Sequence, residues 1–100
     1  MPKWLPDILA RIRALAVARR VSLTLKAQVE LVELRLQLED VRVTLCFLTA
    51  EDFSERLSSK LTDEWMYVFK PQVGERVLYV KVVLREECVV VSFHQDEGEP

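Results

Sequence analysis

The sequence predicts an α+β domain, with helices in the front half and an antiparallel sheet behind them, on three observations. Apolar residues recur at three- and four-residue steps through Leu61. From Trp65 onward the spacing changes to two, the period of strands. The helical and stranded stretches are segregated rather than alternating, which argues against βαβ units. At 100 residues, 50% hydrophobic and a formal net charge of −2, the chain is expected to fold as one domain over residues 1–95, with a short acidic, solvated tail over 96–100.

In order along the chain, Pro6 followed by Asp7 marks a helix start, because Pro is tolerated in a first turn and an acid suits its positive end. Ile8, Ile12 and Leu15, with Leu9 and Ala16 beside them, supply its apolar face. A second helix begins at Thr24, whose hydroxyl can cap it, and carries Leu25, Val29, Val32 and Leu36 as a stripe. Both faces read as core. Residues 41–48 fit two periods. Val41, Val43, Leu45 and Phe47 alternate like a strand, whereas Asp40 as a cap with Val41, Leu45 and Leu48 on one face describes a helix, the reading preferred here. Thr49 and Asp52 have capping-box spacing, with Leu48 and Phe53 as a hydrophobic staple. A further helix is therefore expected, striped by Phe53, Leu57 and Leu61 and ending near Lys60.

Trp65, Tyr67 and Phe69 then alternate with Met66, Val68 and Lys70 until Pro71 stops the strand, and Gln72 to Glu75 form a turn around Gly74. The three aromatics read as core rather than as a base-stacking platform. Val77 to Arg85 and Cys88 to His94 are β-branched strands flanking Glu86-Glu87, a hairpin. Burial fixes its register. Setting Leu84 opposite Val89, Val82 opposite Val91 and Val80 opposite Phe93 builds one apolar face, and puts Tyr79 opposite His94 and Lys81 opposite Ser92 on the other. A slip of one residue would drive Lys81 and His94 into the core.

The wet face of an antiparallel sheet commonly carries Tyr, Lys, Ser and His with no further role. The same groups also have a chemistry in common: a histidine titrates near neutrality, a tyrosine donates a hydrogen bond and a lysine supplies fixed positive charge. Together they can move protons around a phosphodiester without a metal.

Other classes are excluded. Two glycines leave no Gly-rich phosphate loop, Cys46 and Cys88 with one His make no zinc site, and no Ser-centred nucleophile motif is present. No apolar run is long enough for a membrane span, and Arg11, Arg13, Arg19 and Arg20 interrupt any signal-peptide core. Two cysteines make no disulfide framework, which fits a reduced, cytoplasmic chain. Charge runs from +4 over residues 1–35 to −6 over 36–100, and the pI near 5.4 argues against a broad nucleic-acid surface, so direct DNA binding is not expected.

Five motifs in order, LTAEDF (48–53), Trp65, VFKP (68–71), LYVKVVL (78–84) and VVVSFH (89–94), resemble the MqsR family, the motility quorum-sensing regulator toxins. The front half is similar more loosely, through VSLTLKAQVELVEL (21–34) and LEDVRVTLCFL (38–48). The resemblance implies a RelE-like fold, helices against a small twisted antiparallel sheet, and favours the helix for 41–48. It also implies an mRNA-cleaving endoribonuclease of a type II toxin–antitoxin system, needing no cofactor or metal and silenced by a cognate antitoxin. By the same resemblance Tyr79 and Lys81 match the family's YVK motif and His94 stands where members carry Lys or His, making these three the catalytic candidates. Arg56, Lys60 and Lys70 are the phosphate-binding candidates. Two positions depart from the pattern: Glu55 stands where a Lys can occur, and Met66 where a Gln can.

Overall fold

The computed structural model describes residues 1–98. The first helix, α1 (Leu5–Val17), holds Pro6 and Asp7 in its first turn and buries Leu5, Leu9, Ile12 and Ala16. It ends as Arg19 takes φ +61° and the Arg20 N–H donates back to the Leu15 carbonyl at 2.8 Å. The chain then runs into β1 (Val21–Leu23), a three-residue strand too short to show a period in sequence. It pairs in parallel with the last strand, β6 (Cys88–Gln95), Val21 opposite Cys88 and Leu23 opposite Val90. The sheet is therefore mixed, not wholly antiparallel as expected.

Thr24 caps α2 (Leu25–Glu33) as anticipated, its hydroxyl oxygen accepting the Ala27 N–H at 3.2 Å. Of the anticipated stripe only Leu36, beyond the end of the helix, packs against the core. Leu25 and Val32 are 76% and 75% exposed and Val29 is exposed as well, while Ala27 and Leu31 face the core. The rotation is set by polar ties to the edge of β6 beyond β1. Thr24 N–H donates to the Val90 carbonyl (3.0 Å), Thr24 Oγ1 donates to the Val91 carbonyl (3.1 Å), and Glu30 Oε1 accepts the Phe93 N–H (3.1 Å). Groups on an uncovered strand edge must find partners, and that demand outweighs the greasier stripe.

Of residues 41–48, the first six are helical in α3 (Leu38–Cys46), which buries Val41 and Leu45, while Phe47 and Leu48 lie beyond its end. Its cap is Gln37, not Asp40. Asp40 sits three residues in and accepts the Gln37 N–H at 2.8 Å. The helix expected from Thr49 does not form. Asp52 does accept the Thr49 N–H (2.9 Å), but only a single 3₁₀ turn, Ala50–Asp52, follows before Phe53 goes extended. From there the chain is β2 (Phe53–Ser58), antiparallel to β3 (Trp65–Phe69), with Arg56 opposite Tyr67 and Leu57 opposite Met66. Phe53 packs edge-on against Trp4 and Phe69 (centroids 5.5 and 5.7 Å), whereas Leu61 is 97% exposed, so the four-residue spacing was no stripe.

β4 (Gln72–Val73) folds back on the start of β5 (Arg76–Leu84) across Gly74-Glu75, where Gly74 takes φ +65° at no steric cost. The strand order is β1-β6-β5-β3-β2. Every buried residue of the three helices joins one core with Tyr67, Phe69, Leu78, Val80, Val82, Cys88, Val90 and Phe93. The alternate residues of the same strands, Tyr79, Lys81, Ser92 and His94 among them, point to the other face.

The β5–β6 hairpin keeps the anticipated register at its open end and loses it at its tip. Tyr79 is opposite His94, Val80 opposite Phe93 and Lys81 opposite Ser92. A bulge at Val91 then shifts the pairing, so that Val82 faces Val90 and Leu84 faces Cys88, with Arg85–Glu87 as the loop. Cys88 and Val90 thus enter the core, where Val89 and Val91 were expected. Burial pushes the Cys88 thiol up to about 12, leaving it an inert packing group.

Of the residues assigned to the tail, Asp96 makes two contacts with the rest of the domain. Asp96 N–H donates to the Val77 carbonyl (2.8 Å) and its carboxylate lies 3.6 Å from Lys70 Nζ, so Asp96 belongs to the fold. Glu97 is exposed, and residues 99–100, with the acid Glu99, lie outside the described residues. Among the described residues no helix is long and apolar enough to cross a membrane.

Candidate functional site

The open face of the sheet gathers the three catalytic candidates. Because Tyr79 and His94 are directly opposite, their rings stack, with centroids 4.9 Å apart and planes within 11°. Lys81, two residues along the same face, brings Nζ to 6.0 Å from the Tyr79 ring. His94 Nδ1 lies 2.9 Å from the Gln95 carbonyl oxygen. A carbonyl only accepts, so Nδ1 carries the hydrogen of that bond and Nε2 is the ring nitrogen left for other work. Burial, and the negative charges of Glu55 and Asp96, push the Tyr79 phenol above its ordinary value, so at neutral pH it stays a donor.

Lys70 joins the cluster. With Tyr79, His94 and Asp96 it lines a depression of about 350 Å³, and its ammonium is drawn toward Asp96. A larger depression of about 730 Å³, between Arg20 and Arg85, lies at the tip of the β5–β6 hairpin, the opposite end from this cluster. Among the described residues no group of three or more His, Cys, Asp or Glu could hold a metal.

Two phosphate-binding candidates are not brought to the cluster. Arg56 lies on the helix-covered side, its guanidinium 4.3 Å from the Trp4 ring centre and 3.7 Å from that of Trp65. It is opposite Tyr67, a core residue, and residues directly opposite share a face. The aromatic clamp, worth about 0.5–2 kcal/mol per contact, gives Arg56 a packing role. Lys60 lies in the β2–β3 connection, at the end of the sheet held by Arg85–Glu64 and away from Tyr79. The two departures from the family pattern do lie on the open face: Glu55 is opposite Val68, itself opposite Lys81, and Met66 is opposite Val83.

Sequence reasoning missed the contribution of α2. Lys26 Nζ donates to Ser92 Oγ (2.9 Å) and to Glu30 Oε2 (3.0 Å), and the same Glu30 oxygen lies 3.8 Å from His94 Nε2. Lys26 and Glu30 are four apart, an ordinary helix ion-pair spacing that carries no sign of a neighbouring strand.

A family model described as motility quorum-sensing regulator, toxin of MqsA, matches residues 7–95. The chain belongs to this family. MqsR toxins are one half of a toxin–antitoxin pair, so membership makes this chain a toxin-family protein with an antitoxin as its class of partner. The match begins in the first turn of α1, takes in α2 and α3 and ends with β6, enclosing the whole Tyr79–His94 cluster. No curated protein matches the chain.

Proposed function

We propose that this MqsR-family toxin is a metal-independent endoribonuclease that cleaves messenger RNA in the cytoplasm and is held in check by its antitoxin. The observation that carries this reading is the stacked Tyr79–His94 pair, set in a depression with Lys70 and beside Lys81. An RNA phosphodiester placed there has the groups its cleavage needs. The 2′-oxygen attacks the adjacent phosphorus, the O2′–P bond forms, and the P–O5′ bond breaks. The 2′-hydroxyl proton passes to solvent, and His94 Nε2 delivers a proton to the departing 5′-oxygen. The products are a 2′,3′-cyclic phosphate and a 5′-hydroxyl. Tyr79, kept protonated, donates to a non-bridging oxygen, and Lys81 and Lys70 stabilise the charge that gathers on the phosphoryl group.

A second reading is favoured by Glu55 and Asp96, whose charges reach Tyr79 and oppose a phosphate. Under it the chain is a toxin relative that retains antitoxin binding and has lost cleavage. The test is incubation of purified protein with RNA in EDTA. Fragments ending in 2′,3′-cyclic phosphate are the expected result, together with growth arrest on expression that co-expressed antitoxin relieves. Intact RNA and normal growth favour the binding module.

A further inference from the structure

Resting on the ribonuclease reading, we propose that Glu30 is a positioning residue of the site, acting on the reaction through His94. Glu30 comes from α2, not from the sheet that carries the catalytic candidates, and only 16% of its side chain is exposed. Its two oxygens do different work. Oε1 accepts the Phe93 N–H at 3.1 Å, which fixes the backbone from which His94 departs. Oε2 accepts from Lys26 Nζ at 3.0 Å and faces His94 Nε2 at 3.8 Å. With Nδ1 already engaged by the Gln95 carbonyl, Nε2 is the nitrogen that must present a proton to the leaving oxygen. A carboxylate beside it holds the ring in the plane that stacks on Tyr79.

In the proton-transfer step the Nε2–H bond breaks as the O5′–H bond forms, and the electron pair of the broken bond stays on Nε2, directed at the new O5′–H. Solvent reprotonates the ring before the next turnover. Glu30 does not touch the RNA and acts only through the ring of His94, so its effect must vanish when His94 is absent. That requirement separates positioning from a general structural role.

The experiment is a double-mutant cycle on cleavage of a short RNA by wild type, Glu30→Gln, His94→Ala and the double variant, with thermal unfolding of each. Glutamine keeps an oxygen able to accept the Phe93 N–H and removes the charge. Glu30→Gln should lower kcat by about tenfold with KM and Tm near wild type, and should change the His94→Ala rate by less than about twofold. An unchanged kcat, an equal fractional loss in the His94→Ala background, or a fall in Tm large enough to account for the loss would each overturn the assignment. Uncleaved RNA with wild type, or undiminished cleavage by His94→Ala, refutes the ribonuclease reading itself. Sensitivity to His94 with indifference to Glu30 refutes only the positioning role.

Discussion

The two faces of the sheet are built from alternate residues of the same strands, yet they answer to different physics. On one, Phe69, Val80, Val82 and Phe93 are sealed beneath the helices in a single core. On the other, Tyr79, Lys81 and His94 stand partly exposed around a depression, tied to α2 through Ser92 and Glu30. The covered face is held by area removed from water and tolerates little change of shape. The open face contributes little to that core and is free to carry charge. The difference is sharpest at Phe93 and His94, adjacent in sequence and on opposite faces of β6.

That adjacency gives the largest expected effects. Phe93→Ala should destabilise the protein by about 3–5 kcal/mol, the usual cost of deleting a buried ring, seen as a large fall in Tm. Its neighbour should behave in the opposite way: His94→Ala should slow RNA cleavage roughly tenfold or more while leaving Tm within a degree or two. Parallel changes in stability and activity at both positions would break the comparison. Lys81→Ala comes next. It should weaken RNA binding with little change in stability and lower the slope of log affinity against log salt by about 0.7, one single-strand phosphate contact; an unchanged slope would remove Lys81 from phosphate binding.

The smallest effect lies away from both faces, where the Arg85 guanidinium holds the Glu64 carboxyl down at about 2. A depressed carboxylate stabilises the fold above its ordinary range and loses that contribution as pH falls through 2. Arg85→Ala should therefore flatten the acid side of the stability profile between pH 4.5 and 2. The pair is exposed, so the change is small, and an identical acid limb in the variant would show that the bridge contributes nothing.

How much could be read from sequence also divides by region. The Tyr79–His94 and Lys81–Ser92 pairings were legible because Lys81 and His94 forbid a slipped register. Nothing comparable exists in the run from Val89 to Val91, where three valines have no phase and the bulge leaves no mark. The rotation of α2 was hidden for a related reason. Leu25, Val29 and Val32 spell a core stripe, but the helix is turned by Thr24 and Glu30 binding a strand edge more than 60 residues away in the chain. The helix expected from Thr49 had a true first turn, and tertiary pairing with β3 then claimed the next six residues as a strand. Arg56 followed that strand onto the covered side, which is why a cation expected at the phosphate is instead stacked between two tryptophans.

The proposed cleavage requires the 2′-oxygen of RNA as the nucleophile at the Tyr79–His94 face. Cleavage in EDTA of a short RNA and of its copy carrying 2′-deoxynucleotides throughout tests this directly. The RNA should be cut to cyclic-phosphate ends and the deoxy copy should survive; equal cutting of both strands, or of neither, would contradict the account.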